Sequence, residues 1–157
     1  MIVAAPVAGT TVPLAEVNDK VFASGAMGQG VGILPDNGRI VAPVAGTVIA
    51  ATRTGHAFGI KSDDGVEVLV HVGIDTVQMK GEGFSPKVTR GQRVEQGDLL
   101  AEVDLDAVQK AGFDPTVVTI VTNSASLGAV DAVTGRSLAA GDAALLIMAG
   151  APQPVNA

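Results

Sequence analysis

Apolar and polar residues alternate over short stretches of this chain, and sequences typical of tight turns separate these stretches. Residues 66–72 read Val-Glu-Val-Leu-Val-His-Val, so a strand here places four valines on one face and Glu67, Leu69 and His71 on the other. The turn sequences Pro-Asp-Asn-Gly and Ser-Asp-Asp-Gly lie between such stretches. The pattern predicts eight strands, over residues 31–34, 38–41, 47–51, 58–61, 66–72, 99–103, 117–122 and 144–148.

One short helix is predicted, from Leu105 to Ala111, because Asp104 is a good N-terminal cap and Gly112 a good terminator. The fold class is therefore all-β, an antiparallel β-sandwich or barrel with at most short helices. Residues 1–150 are predicted to form a single domain, and residues 151–157 a flexible C-terminal tail.

Two internal repeats indicate that the β domain contains a duplicated unit. The sequence Ala-Pro-Val-Ala-Gly-Thr occurs at residues 5–10 and again at 42–47. The pattern Gly-x-x-apolar-x-x-Gly-Asp occurs at 91–98 and at 135–142. Two copies are too few for a repeat array. We expect each half of the domain to contribute one Ala-Pro strand and one Gly-Asp turn.

Charge and composition exclude several classes of function. Sixteen acidic and ten basic side chains give a net charge of −6, which argues against a nucleic-acid partner. The chain has no cysteine, so disulfides and thiolate chemistry are excluded. No apolar stretch reaches the roughly 18 residues that a spanning helix needs, and the first residues lack the basic start of a signal peptide. We expect a cytoplasmic protein that does not insert into a membrane.

The candidate chemistry depends on the two histidines of the chain, His56 and His71. An imidazole can be a neutral nucleophile near neutral pH. The predicted strand of His71 is apolar enough to be covered on both faces, and the resulting desolvation would disfavour the charged ring. His56 follows a Thr54-Gly55 turn, so an adjacent strand would bring the two rings close. The alternative is a pair of buried structural histidines, which spacing alone does not exclude.

The sequence motifs around the histidines resemble those of a known family. The chain is similar, from residue 2 to about residue 149, to the glucose-type IIA component of the bacterial phosphoenolpyruvate-dependent sugar phosphotransferase system. The Ala-Pro repeats are part of this resemblance. Further motifs occur in the family's order at residues 16–23, 27–33, 56–58, 65–71, 73–77, 80–84 and 122–123.

The resemblance implies an antiparallel β-sandwich with a duplicated hybrid motif and a role as a phosphoryl carrier that needs no cofactor. By resemblance, Nε2 of His71 receives the phosphoryl group from the histidine phosphocarrier protein HPr and passes it to a cysteine of a IIB domain. His56 would contact that group, and Thr54 would orient the histidine pair. The Gly73 carbonyl would accept a hydrogen bond from Nδ1 of His71.

The resemblance also implies a docking face for HPr and for the IIB domain of a sugar transporter, which would hold the protein peripherally at the membrane. Regulatory target proteins would use the same face, and a purely regulatory module is the alternative function. Replacing Phe22 by serine is expected to weaken docking without unfolding the domain. The residues implied for this face are Val21, Phe22, Ala26, Met27, Leu69 and Val77, with Asp75 at its rim.

Two positions depart from the family's usual pattern. Gln29 replaces an aspartate between two glycines, and Thr52 stands where the family often has phenylalanine. These two departures bear on the choice of partner and not on the phosphorylation chemistry. The resemblance further predicts that His56 and His71 hold Zn²⁺ weakly through their Nε2 atoms.

Two other classes share parts of these motifs. In biotinyl and lipoyl carriers the modified lysine follows the Gly-Asp turn, whereas Met79-Lys80 precedes it and no methionine follows the lysine. Zinc peptidases with a related β motif use a His-x-x-x-Asp pair, which His71 and Asp75 match. They also need a further histidine pair, and the chain has no histidine left to supply it.

Overall fold

A computed structural model describes residues 1–148, which form three antiparallel sheets and two short α-helices. Short 3₁₀ turns lie at Leu14–Glu16, Thr76–Met79 and Ser124–Ser126. The helices are α1 (Lys20–Ala23) and α2 (Leu105–Lys110). The strands are β1 (Ile2–Ala4), β2 (Gly9–Pro13), β3 (Gln29–Pro35), β4 (Arg39–Val41), β5 (Gly46–Ala51), β6 (Ala57–Ser62), β7 (Glu67–Val72), β8 (Phe84–Pro86), β9 (Arg93–Val94), β10 (Leu99–Val103), β11 (Val117–Val121), β12 (Val130–Ala132), β13 (Ser137–Leu138) and β14 (Ala143–Ile147).

The largest sheet has the strand order β13-β2-β3-β11-β7-β6-β5-β9. Two three-stranded sheets, β1-β14-β12 and β4-β10-β8, complete the architecture. All strand pairs are antiparallel, which confirms the predicted all-β sandwich. Strands β6 and β7 lie inside the largest sheet, with β11 on the other side of β7, so the segment that carries His71 is paired along both edges.

The eight predicted strands are all present, with bounds shifted by two residues at most, and the predicted strand 99–103 coincides with β10. Helix α2 also forms where predicted, because the Asp104 carboxylate accepts the backbone N–H of Ala107 at 3.1 Å. Helix α1 and several short strands were not predicted. They span only two to five residues each, too few for a readable period, and their ladders depend on partners distant in sequence.

The two sequence repeats correspond to two structural units with the same pattern of strand pairing. Contrary to the expectation of Ala-Pro strands, residues 5–8 and 42–45 are turns, which join β1 to β2 in the first copy and β4 to β5 in the second. Strands β1 and β2 pair with β14 and β13, and strands β4 and β5 pair with β10 and β9. The first Ala-Pro copy therefore pairs with the second Gly-Asp copy. Backbone N–H groups of Ala5 and Ala42 donate to the carbonyls of Asp142 and Asp98 at 2.7 and 2.8 Å.

The core has two parts. The valines of β7 face the larger cluster, together with Phe58, Leu100 and Leu145. A smaller cluster lies on the opposite side of the large sheet, under the face that carries His71. Leu69 packs against its edge. This smaller cluster consists of Leu14, Val17, Phe22, Ile74, Val118 and Ile120.

The predicted tail, residues 151–157, lies outside the described residues, as do the last two residues of the predicted domain. Over residues 1–148, no helix combines the length and the apolar character needed to cross a membrane.

Candidate functional site

The two histidine rings meet at the surface of the large sheet. His71 lies near the end of β7, and its direct partner in the adjacent strand is Ala57, the first residue of β6. His56 therefore sits one residue before that pair, at the point where β6 begins. The ring centroids of His56 and His71 are 5.3 Å apart, and the rings are nearly perpendicular, at 78°. Antiparallel register thus brings together two side chains that are fifteen positions apart in sequence.

The orientation of the His71 ring follows from the backbone that comes after β7. Its Nδ1 atom lies 2.8 Å from the carbonyl oxygen of Gly73. A carbonyl oxygen can only accept, so Nδ1 carries the ring proton and Nε2 keeps a free lone pair. Gly73 has φ +82°, and its N–H donates to the carbonyl of Thr116 at 2.9 Å. A Cβ at this position would overlap the Cγ2 methyl of Thr76, so both conformation and space call for glycine.

The orientation of the His56 ring depends on the turn that precedes β6. The Oγ1 atom of Thr54 lies 2.6 Å from Nδ1 of His56, and Oγ1 of Thr52 lies 3.3 Å from the same atom. Gly55, at φ +77°, closes the turn with a hydrogen bond to the Thr52 carbonyl at 3.0 Å. Two hydroxyl groups thus surround Nδ1 of His56, and Nε2 is left for the site.

Burial lowers the pKa of both histidines below the ordinary value of 6.5. For His71, desolvation is the largest cause, and it outweighs the hydrogen bond to Gly73 and the negative charges of Asp19 and Asp75, which raise its pKa. For His56, desolvation again comes first, and repulsion from a charged His71 lowers its pKa further. Both rings are therefore neutral near pH 7, as a nucleophilic imidazole must be.

Beside His71 lies an open depression of about 350 Å³. Its surface is mainly apolar, and two acidic residues, Asp19 and Asp75, are among the residues that line it. Val21, Met27 and Val77 are exposed there, as a docking face requires. The depression is lined by Asp19, Val21, Phe22, Met27, Leu69, His71, Asp75 and Val77, so six of the seven predicted docking residues are brought together.

Phe22 differs from its neighbours in this set. It is only 8% exposed, belongs to the smaller core cluster, and its ring centroid is 5.1 Å from that of His71. This burial leads us to expect that a serine here destabilises the domain as well as weakening docking. Helix α1 turns Phe22 inward and Val21 outward, because adjacent helical residues point in different directions.

Ala26 and Asp19 are the other differences from the predicted docking set. Ala26 does not line this depression; it lines a separate one together with Gln29. Asp19 was not singled out from the sequence, although it lies at the site and its carboxylate caps α1 by accepting the N–H groups of Val21 and Phe22. The signal was an aspartate two residues before a short apolar run, a pattern typical of a helix start.

As a metal site, the histidine pair offers two nitrogen ligands of the four that a tetrahedral zinc ion takes. Among residues 1–148, no group of three or more His, Cys, Asp or Glu side chains is arranged to hold a metal ion. The donor set therefore fits a weak site that a partner or water would have to complete. It does not fit a structural zinc site.

Comparison with known proteins identifies the family. The family model described as "phosphoenolpyruvate-dependent sugar phosphotransferase system, EIIA 1" matches residues 1–127. The chain belongs to this family. A solved EIIA relative, the glucose permease IIA from Mycoplasma capricolum, superposes with a TM-score of 0.81 at 36% sequence identity, over 92% of this chain and 94% of that one. The resemblance to glucose-type IIA proteins and the β-sandwich fold are thus confirmed.

Curated relatives carry the EIIA unit either alone or within larger proteins. The glucose-specific EIIA component of Halalkalibacterium halodurans is 39% identical over 142 residues, which are 90% of this chain and 82% of that protein. The beta-glucoside-specific EIIBCA component of Dickeya chrysanthemi is 48% identical over 128 residues, which are 82% of this chain and 20% of that protein. The chain thus spans about a fifth of the length of the multidomain relatives.

Proposed function

We propose that this phosphotransferase component is a phosphoryl carrier that accepts its group from HPr on Nε2 of His71. The Nε2 lone pair forms a bond to phosphorus while the P–N bond to the HPr histidine breaks, and the HPr ring leaves with that electron pair. The Nδ1 proton of His71 stays in place, so the phosphorylated ring carries a positive charge. The Gly73 carbonyl stabilises this charge, because its oxygen already accepts the Nδ1 proton at 2.8 Å.

The observation that supports the proposal most directly is this hydrogen bond from Nδ1 of His71 to Gly73. It directs the only free lone pair of the ring to Nε2. It also keeps the ring proton that makes the imidazole a neutral leaving group in the next step. Phosphoryl transfer asks a protein mainly for positioning and charge stabilisation, and this contact supplies both.

In the second step, the thiolate of a IIB cysteine attacks phosphorus, an S–P bond forms and the P–Nε2 bond breaks. His71 then leaves as the neutral Nδ1–H imidazole. We infer that His56, whose ring lies 5.3 Å away, donates a hydrogen bond from Nε2 to a phosphoryl oxygen and so stabilises the charge during departure. The fusion of similar EIIA units to EIIB and EIIC in relatives supports a IIB acceptor.

The depression beside His71 suits partners whose active residue is surrounded by apolar and basic groups. Its apolar surface would bury partner side chains, and Asp19 and Asp75 would attract positive charge. We infer that HPr and the IIB domain dock here in turn, in the cytoplasm at the membrane face of a sugar transporter. Regulatory proteins would compete for the same face.

Labelling with phosphoenolpyruvate, the system's first enzyme and HPr tests the proposal. The protein should gain one acid-labile, alkali-stable phosphate, and His71→Ala should gain none. His56→Gln is the matched control: it should accept phosphate but pass it to a IIB domain more slowly. Labelling that survives His71→Ala would refute the assignment. Tight HPr binding without any labelling would favour the purely regulatory module.

A further inference from the structure

Thr52 lies in the turn beside the histidines, two residues before Thr54, and its hydroxyl group has four hydrogen-bond partners within reach. Its Oγ1 atom accepts the backbone N–H groups of His56 and Ala57, both at 3.1 Å. A hydroxyl oxygen has two acceptor lone pairs and one proton. Both lone pairs are therefore occupied, and Thr52 Oγ1 can act toward any further group only as a donor.

Two acceptors are within reach of the Thr52 hydroxyl proton, Nδ1 of His56 and the carbonyl of Ala57, each at 3.3 Å. In neither arrangement can Thr52 accept a proton from Nδ1. The remaining neighbour of Nδ1 among the described residues is Oγ1 of Thr54, at 2.6 Å. That distance lies within the range of an O–H donor, about 2.5–3.0 Å, and is shorter than the roughly 2.7–3.2 Å of an N–H donor. These contacts therefore favour a His56 Nδ1 atom without a proton, which accepts a hydrogen bond from the Thr54 hydroxyl.

We propose that Thr52 is a positioning residue for His56: its hydroxyl clamps the turn that carries the ring, and the clamped turn holds Nδ1 against the Thr54 hydroxyl as a hydrogen-bond acceptor. The ring proton is then on Nε2, on the side of His71. The clamp acts on the backbone as well, because it ties residue 52 to the two N–H groups at which β6 begins. A phenylalanine at this position could make neither contact.

This assignment has a consequence for the transfer step, and that part of it rests on the proposed function. A proton on Nε2 makes His56 a hydrogen-bond donor toward a phosphoryl group on His71 before any partner arrives. With the proton on Nδ1, Nε2 would present a lone pair to phosphoryl oxygens and repel them. Thr52 therefore acts through His56, and its loss should slow departure of the phosphoryl group more than its arrival.

The first measurement is independent of phosphoryl transfer. Proton–nitrogen NMR of the imidazoles assigns both rings, because the chain has two histidines and His71→Gln leaves one. We expect the wild-type His56 ring to carry its proton on Nε2. Thr52→Val, which has nearly the same shape without the hydroxyl, should give a mixture of the two tautomers. Thr52→Ser, which keeps the hydroxyl, should restore the wild-type spectrum.

The second measurement follows single-turnover transfer to a IIB domain. Thr52→Val should slow this step about five- to tenfold, the effect of about one lost hydrogen bond, and change acceptance from HPr by less than about twofold. Thr52→Ser should recover the rate. The inference is overturned if wild-type His56 is protonated on Nδ1, or if folded Thr52→Val keeps both the tautomer and the transfer rate. It is also overturned if Thr52→Ser is as impaired as Thr52→Val.

The two measurements separate this inference from the proposed function. Should Thr52→Val fail to fold, the wild-type and Thr52→Ser spectra still decide the tautomer. Should His71 accept no phosphate at all, the proposed function fails, while the NMR result still tests the role of Thr52.

Discussion

Nδ1 of His71 lies 2.8 Å from the carbonyl oxygen of Gly73, and the backbone of Gly73 reaches that position at φ +82°, beside the side chain of Thr76. One hydrogen bond thus joins the His71 ring to a turn that only glycine fits well. Because the bond orients the ring and retains its proton, local changes in this turn should alter chemistry as well as stability.

Gly73→Ala should lower the free energy of unfolding by about 2–4 kcal/mol, from backbone strain together with overlap with Thr76. Labelling of His71 should fall with it. Gly112→Ala is the matched control, because Gly112 has a similar φ of +86° and no atom within 4 Å of the added Cβ. It should cost about 1–2 kcal/mol and leave labelling unchanged. Denaturant melts and phosphate labelling check both; equal effects of the two variants would contradict the prediction.

Val21 and Phe22 should separate docking from folding. Val21 is 55% exposed at the depression, so Val21→Ser should weaken HPr binding by about 1 kcal/mol and leave the melting temperature nearly unchanged. Phe22→Ser should cost about 3 kcal/mol or more of stability, because it removes a ring from the smaller core cluster. Leu34, an exposed leucine away from the depression, provides the control: Leu34→Ser should change neither HPr affinity by calorimetry nor phosphoryl transfer.

The lowered pKa values of the two histidines predict how stability depends on pH. Unfolded histidines bind protons near pH 6.5, whereas the folded ones resist protonation to lower pH. The unfolded state therefore binds more protons in this window, and stability falls as the pH drops from 6.5 through the folded pKa values. Denaturant melts from pH 7.5 to 5 should show this fall, and a double variant, His56→Gln with His71→Gln, should lose that part of it. An unchanged slope in the double variant would assign the effect to carboxylates.

Zinc should bind weakly at the histidine pair, because two imidazoles supply half of a tetrahedral set. We expect added Zn²⁺ to inhibit labelling of His71, since coordination occupies the Nε2 lone pair. A chelator should restore labelling without changing the melting temperature. His56→Gln removes one ligand and should make labelling less sensitive to zinc. Stoichiometric zinc that survives dialysis, or unfolding by the chelator, would indicate a genuine metalloprotein.

Thr119 in β11 is fully buried, and within the described part of the chain its hydroxyl has no hydrogen-bond partner. Thr119→Val keeps the shape and removes the unpaired group, so it should be neutral or raise stability by up to about 1 kcal/mol. Thr11 is equally buried, but its hydroxyl bonds to the backbone of Arg136 at 3.1 and 3.3 Å. Thr11→Val should therefore cost about 1–2 kcal/mol. Equal melting temperatures for the two variants would contradict this account.

Much of the site could be predicted from the sequence because its residues belong to local patterns. The alternation in β7 placed His71 on the face opposite the valines, and the Thr-Gly turn placed His56 at the start of the next strand. The contact between Gly73 and His71 spans two residues, and its prediction came from family resemblance. The sequence did not predict that Phe22 is buried. Whether a residue on a four-residue helix is covered depends on the segments that pack against it.

The sequence by itself determined the longer strands, the single predicted helix, the duplication and the choice of the two histidines as candidate reactive groups. These follow from periodicity, turn residues and motifs close together along the chain. Tertiary structure alone decided which copy of each repeat pairs with which, because β1 meets β14 across almost the whole chain. It also brought Asp19 to the rim of the site and both lone pairs of Thr52 to backbone N–H groups. Burial and hydrogen-bond saturation depend on the packing of several segments at once, and no local pattern records them.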